Sequence, residues 1–140
     1  ARRMSTGFDL NRAILLTAIL EKKLNFNMQS LDVYINVVGG LKINEPATDL
    51  AVITAIASSC KNFVIHSKIL ILGEVGLTGE VRSVSYADRR INEAKKMGFT
   101  RCILPQSNMK GLDRITGIEL LPVTTVRQAI AILVKLEDKE

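Results

Sequence analysis

The chain has 140 residues, 47% of them apolar and 24% charged, with a formal net charge of +5. These totals exclude a disordered segment and a disulfide-stapled miniprotein, and they predict one core for residues 1–140. The longest apolar run, residues 13–20, falls short of the about 20 residues a membrane-spanning helix needs, so no membrane partner is expected.

The basic balance favours polyanionic partners, because lysine and arginine displace counterions from phosphate backbones. Cys60 and Cys102 lie far apart and form no Cys-x-x-Cys pair, so their spacing predicts reduced thiols in a cytoplasmic protein and no zinc site. Ala1-Arg2-Arg3-Met4-Ser5 lacks the pattern of a secretory leader and reads as the interior of a longer protein.

In chain order, residues 9–24 predict a helix with Leu15, Ala18 and Ile19 on one stripe, widened by Leu16 and Leu20. Residues 30–38 alternate as a strand, with Leu31, Val33, Ile35 and Val37 on one side, before Gly39-Gly40 permits a sharp turn. Residues 41–43 continue in extended form. Pro46 suits a first helical position after Asn44 or Glu45, and Leu50, Ile53, Ile56 and Ala57 carry a second helix to about Ser59. Residues 69–72 form an apolar strand, and Leu77-Thr78-Gly79 turns the chain into a second arm at residues 80–84.

Ala87, Ile91 and Ala94 mark a third helix that Gly98 ends, and residues 102–105 make a short strand. Residues 118–123 form another strand. Thr125 and Gln128 are a capping-box pair for a last helix carrying Val126, Ala129, Ile130 and Leu133, with residues 137–140 expected to fray. Strand and helix alternate, so the predicted class is α/β (α+β), a mixed sheet with packed helices.

Neither Gly39-Gly40-Leu41-Lys42 nor the Gly73, Gly76, Gly79 series has phosphate-loop spacing, and the latter reads as turn glycines. The lone His66 falls after the second helix and reads as an exposed turn residue with no nucleophile to activate.

Four ordered blocks carry a resemblance. They are residues 32–40 (DVYINVVGG), 45–51 (EPATDLA), 72–82 (LGEVGLTGEVR) and 95–105 (KKMGFTRCILP). Together they resemble the Lon-protease-like C-terminal domain of the bacterial RadA (Sms) family of recombination and repair proteins. The resemblance runs from Arg2 to about Leu133 and implies a Lon proteolytic-domain-like fold.

It also implies a longer parent that joins a zinc finger and a RecA-like ATPase to this domain, assembles as a hexameric ring, and acts on single-stranded or branched DNA. ATP, magnesium and zinc belong, on this reading, only to parts outside this chain, which itself needs no cofactor. In Lon proteases a serine at a helix start is activated by a lysine beyond the glycine ribbon. Against that pattern Pro46 precedes the nucleophile position, Ala47 occupies it, and Asp88 falls on the lysine position. A register one residue later gives Thr48 and Arg89, and arginine cannot serve as base. The chain is therefore expected not to be an enzyme, the alternative being a Lon-type serine protease with an unconventional nucleophile such as Thr48, Ser58 or Ser59.

Candidate DNA-contacting residues are Lys42 and Arg82 beside glycine turns, and Arg89, Arg90, Lys95, Lys96 and Arg101 in the basic third block, where Glu93 is the counter-charge. The competing reading is a solvated helix face. The aromatics Phe8, Phe26, Phe63, Phe99, Tyr34 and Tyr86 form no cluster in sequence, so no stacking platform is predicted. A further reading is an assembly module, using the apolar face of residues 9–24 and the exposed part of 33–38.

Overall fold

The Asp9 carboxylate opens the first helix by accepting a 2.9 Å hydrogen bond from the Arg12 amide, and Ala13, Leu16, Thr17 and Leu20 then turn one stripe inward. The computed structural model describes residues 1–137. Its elements are β1 (Arg3–Thr6), α1 (Leu10–Lys23), β2 (Val33–Asn36), α2 (Asp49–Lys61), β3 (Ile69–Ile71), β4 (Glu74–Val75), β5 (Val81–Arg82), α3 (Ala87–Lys96), β6 (Arg101–Pro105), β7 (Glu119–Val123) and α4 (Val126–Leu136).

The class is α/β, as the alternation predicts. In place of one mixed sheet, three small sheets carry the fold. β1 and β2 pair in parallel, β3, β6 and β7 form a parallel sheet in the order β3-β6-β7, and β4 and β5 make an antiparallel ribbon. β6 reads as a continuous apolar run because both its faces are covered. Ile103 joins the larger core, built from α1, α2 and α4, while Cys102 and Leu104 join the smaller one with Ala87 and Ile91 of α3.

β1 has no apolar alternation, and its pairing is imposed from outside. The Val33 and Val37 amides donate to the carbonyls of Arg2 (2.8 Å) and Thr6 (3.0 Å). The Arg3 guanidinium donates to the carbonyls of Leu31 and Met28 and pairs with Glu21 at 3.3 Å. Gly7 follows β1 at φ +87, where a Cβ would stand 2.4 Å from the Leu41 carbonyl oxygen and 2.7 Å from the Val37 Cβ.

Several boundaries differ from expectation. The strand predicted over residues 30–38 contracts to β2, because the segments on either side turn, including a 3-10 turn at Val38–Gly40. In α1, Leu15 and Ala18 are only half-buried, since the most buried stripe lies one step round the helix. Pro46 starts a 3-10 turn, Pro46–Thr48, and α2 runs past Ser59 to Lys61, where Asn62 adopts the left-handed conformation at φ 58. The arm predicted at residues 80–84 keeps two ladder residues. Val84 instead bonds the Asn108 side chain through both its amide and its carbonyl (2.9 and 3.0 Å).

At the last helix Thr125 caps the Gln128 amide at 3.1 Å, but the Gln128 side chain reaches back to Thr124 rather than Thr125. Glu137 does not fray, because its carboxylate accepts from the Val64 amide; residues 138–140 lie outside the described residues. His66 is half-buried rather than an exposed turn residue. Its Nε2 bonds the Leu136 carbonyl at 2.8 Å, against the end of α4.

Candidate functional site

The turn before α2 is locked to the strand end facing it. The Gly73 amide donates to the Ala47 carbonyl, and the Leu50 amide donates to the Gly73 carbonyl, each at 3.0 Å. Gly73 fits because a Cβ there would stand 2.9 Å from Val81 Cγ1. Ala47 is buried beside this clamp and its side chain carries no oxygen, whereas Asp88 sits exposed in the first turn of α3.

Two of the three hydroxyls weighed as alternative nucleophiles are committed to backbone. Thr48 donates to the Glu45 carbonyl at 2.8 Å, and Ser58 donates to the Phe63 carbonyl. Ser59 is exposed. Among the described residues, none of these hydroxyls donates to a lysine, arginine or histidine nitrogen.

Beside the clamp lies a buried ion pair that sequence reasoning missed. Asp49, 1% exposed at its side chain, accepts from the Arg12 guanidinium through both oxygens and from the Val75 amide at 3.1 Å. Arg12 also donates to the Val75 carbonyl at 3.1 Å. The hydrogen bond to Asp49 holds the Arg12 pKa above its ordinary value, against the opposing effect of burial. One pair thus joins α1, α2 and β4. The sequence carries no signal for this pairing, because a carboxylate in the first turn of one helix and an arginine within another are each favourable alone.

The seven predicted cations divide by their partners. Arg82 bonds Glu80 at 2.8 Å and lies 3.9 Å from Glu74, Arg101 bonds Glu119 at 3.0 Å, and Lys96 stands 3.6 Å from Glu93. Arg90 pairs with Glu45 and donates to the Ser85 carbonyl at 2.8 Å, which ties the start of α3 to the segment before Pro46. Lys42, Arg89 and Lys95 have no carboxylate partner among the described residues. Lys42 is exposed and Lys95 half-buried, whereas the Arg89 guanidinium lies 4.9 Å from the centroid of the Tyr86 ring.

In the glycine ribbon the Glu80 carboxylate accepts from the Thr78 hydroxyl and amide and from Arg82, and these bonds, the hydroxyl first, hold its pKa down to about 2. Burial pushes the Cys102 thiol up to about 12. Among the described residues there is no group of three or more His, Cys, Asp or Glu side chains placed to hold a metal, and no helix long and apolar enough to cross a membrane.

An open groove of about 770 Å³ runs between β2 and α2, lined by Val33, Ile35, Val37, Ala51, Val52 and Ile56 among others. Apolar side chains also stand exposed in and just after β2, notably Tyr34, Val38 and Leu41.

The family model described as subunit ChlI of Mg-chelatase matches residues 10–108. The DNA repair protein RadA of Halalkalibacterium halodurans is 47% identical over 131 residues, covering 94% of this chain and 29% of that protein. The protein of the same name from Streptococcus pyogenes serotype M1 is 48% identical over 130 residues (93% and 29%), and that from Bacillus subtilis 46% over 129 (92% and 28%). The chain therefore spans less than a third of the length of these relatives. It belongs to the family of that model and, over nearly all of its length, is a relative of the DNA repair proteins RadA.

Proposed function

We propose that this chain is a catalytically silent Lon-like domain of a RadA-type repair protein, serving ring assembly and DNA contact. The observation that carries the repair role is its 46–48% identity, across more than nine-tenths of its length, to proteins named for DNA repair. Silence follows from Ala47, which puts a methyl group where a Lon-type nucleophile needs an oxygen, and from the backbone commitments of Thr48 and Ser58. Hydrolysis of ATP, with its magnesium, and any structural zinc fall on this reading to parts of a longer cytoplasmic protein.

For DNA contact the charge of +5 supplies the sequence-independent attraction, and Lys42, Arg89 and Lys95 are the predicted cations best placed for phosphate, having no carboxylate to leave. Arg82, Arg90, Lys96 and Arg101 must share their charge with Glu80, Glu45, Glu93 and Glu119. Assembly draws support from exposed apolar residues, Leu10 and Ile14 of α1 and Tyr34, Val38 and Leu41 around β2, which are suited to burial against another copy.

The test is fluorescence anisotropy of labelled single-stranded DNA at low and moderate salt. The unaltered chain binds with a salt-dependent affinity, and Lys42→Glu/Arg89→Glu/Lys95→Glu loses it, whereas Arg82→Gln/Arg101→Gln changes it little. Equal binding by the triple variant overturns this assignment of the contact surface, and no binding at low salt overturns DNA contact by this chain. Mass measured across a concentration series tests assembly, and a serine-reactive probe that labels the chain would restore the protease alternative.

A further inference from the structure

The entry to α3 holds an exposed aromatic in a conformation that side chains rarely adopt. Tyr86 precedes the helix with φ 59 and ψ 36, the left-handed region, and is 63% exposed. Its neighbours hold it there. The Arg90 side chain donates to the Ser85 carbonyl at 2.8 Å while paired with Glu45, the Arg90 amide donates to the Tyr86 carbonyl at 3.1 Å, and Ala87 behind it is buried in the smaller core.

Tyr86 caps the helix three positions before Arg89, and the Arg89 guanidinium lies over the Tyr86 ring at 4.9 Å. Asp88, the acidic residue of the same turn, sits about 100° further round the helix. Glu93, one turn below Arg89, lies with Lys96 at 3.6 Å. The ring carries a cation without a carboxylate partner among the described residues, and Tyr86 is otherwise largely exposed.

We infer that Tyr86 and Arg89 form a stacking platform for single-stranded nucleic acid, with one unpaired base on the free face of the Tyr86 ring and an adjoining phosphate on Arg89. A planar aromatic accepts any base through its π-face, and a guanidinium stacked behind it keeps its N–H groups for phosphate oxygens. Duplex DNA presents no free base face, so the platform selects single strands without reading their sequence. The inference rests on the DNA-contact reading above and adds to it the residues that would meet an unpaired base and its phosphate.

The chain contains no tryptophan, so Tyr86→Trp supplies a lone reporter. Its emission is quenched, saturably, as oligothymidylate is added. In anisotropy titrations Tyr86→Asn, which suits a left-handed backbone and leaves no ring, weakens binding about tenfold, the loss expected of one stacked base. Tyr86→Phe binds like the unaltered chain, and Arg89→Gln lowers the slope of log affinity against log salt by about 1. Unchanged binding by Tyr86→Asn, with its circular dichroism intact, or an unquenched Tyr86→Trp on a strand that binds, overturns the platform and leaves the DNA-contact reading standing. No binding by the unaltered chain overturns both.

Discussion

Removing the Asp49 carboxylate tests how the fold is held beside the Ala47 turn. In Asp49→Ala the Arg12 guanidinium loses both carboxylate oxygens and the Val75 amide loses its acceptor, within an apolar setting where Asp49 itself is 1% exposed. Breaking a buried pair from one side costs about 3–5 kcal/mol. Arg12 is 33% exposed and can recover water on that side, which places Asp49→Ala near the lower end, at about 3 kcal/mol. In a domain of this size that is a fall in Tm of about 10 °C.

The converse change, Arg12→Ala, strands the more deeply buried charge and costs more, about 4 kcal/mol. The double variant Arg12→Met/Asp49→Leu costs well under the sum, because no buried charge is left alone. Urea unfolding followed by circular dichroism gives all three values. A loss below about 1 kcal/mol for Asp49→Ala, or strict additivity in the double variant, refutes the claim that the pair is one unit.

Other sites give shorter tests. With its thiol pushed up to about 12 and buried, Cys102 resists alkylation of the native protein at pH 8, whereas the half-buried Cys60 reacts, as peptide mass mapping after iodoacetamide will report. Glu80 has a folded pKa of about 2, below its unfolded value, so its contribution to stability is present above the usual carboxylate range and is lost as pH falls toward 2. Thr78→Val removes the largest cause, so the Glu80 carboxyl titrates at higher pH by NMR than in the unaltered chain. Gly7→Ala places a Cβ 2.4 Å from the Leu41 carbonyl oxygen at φ +87 and is expected to cost more than about 2 kcal/mol in the same urea assay.

What the sequence made legible follows from where the physics is local. α3 shows its stripe of Ala87, Ile91 and Ala94 and its glycine stop, and the turn at Leu77-Thr78-Gly79 carries Gly79 at φ +83, so both elements stand where predicted. β1 was not legible. Arg3-Met4-Ser5-Thr6 has no pattern of its own and becomes a strand only because Val33 and Val37 bond to it across about thirty residues of chain. The same holds for charge. Arg89 and Arg90 are indistinguishable as letters, yet one is paired with Glu45 and the other stacks on Tyr86.

Those two arginines also show how the Ala47 turn bears on the surface beside it. Ala47 is clamped by Gly73 at one end of a short segment whose Glu45 holds Arg90. Arg90 in turn fixes Ser85, immediately before Tyr86. A chain of contacts therefore runs from Ala47, the residue proposed to stand at a Lon-type nucleophile position, to the residues proposed to meet a single strand. On the proposed reading that turn presents no hydroxyl, yet it has to stay rigid to hold the entry to α3, and its rigidity comes from the burial of Ala47 and from two backbone hydrogen bonds, Gly73 amide to Ala47 carbonyl and Leu50 amide to Gly73 carbonyl.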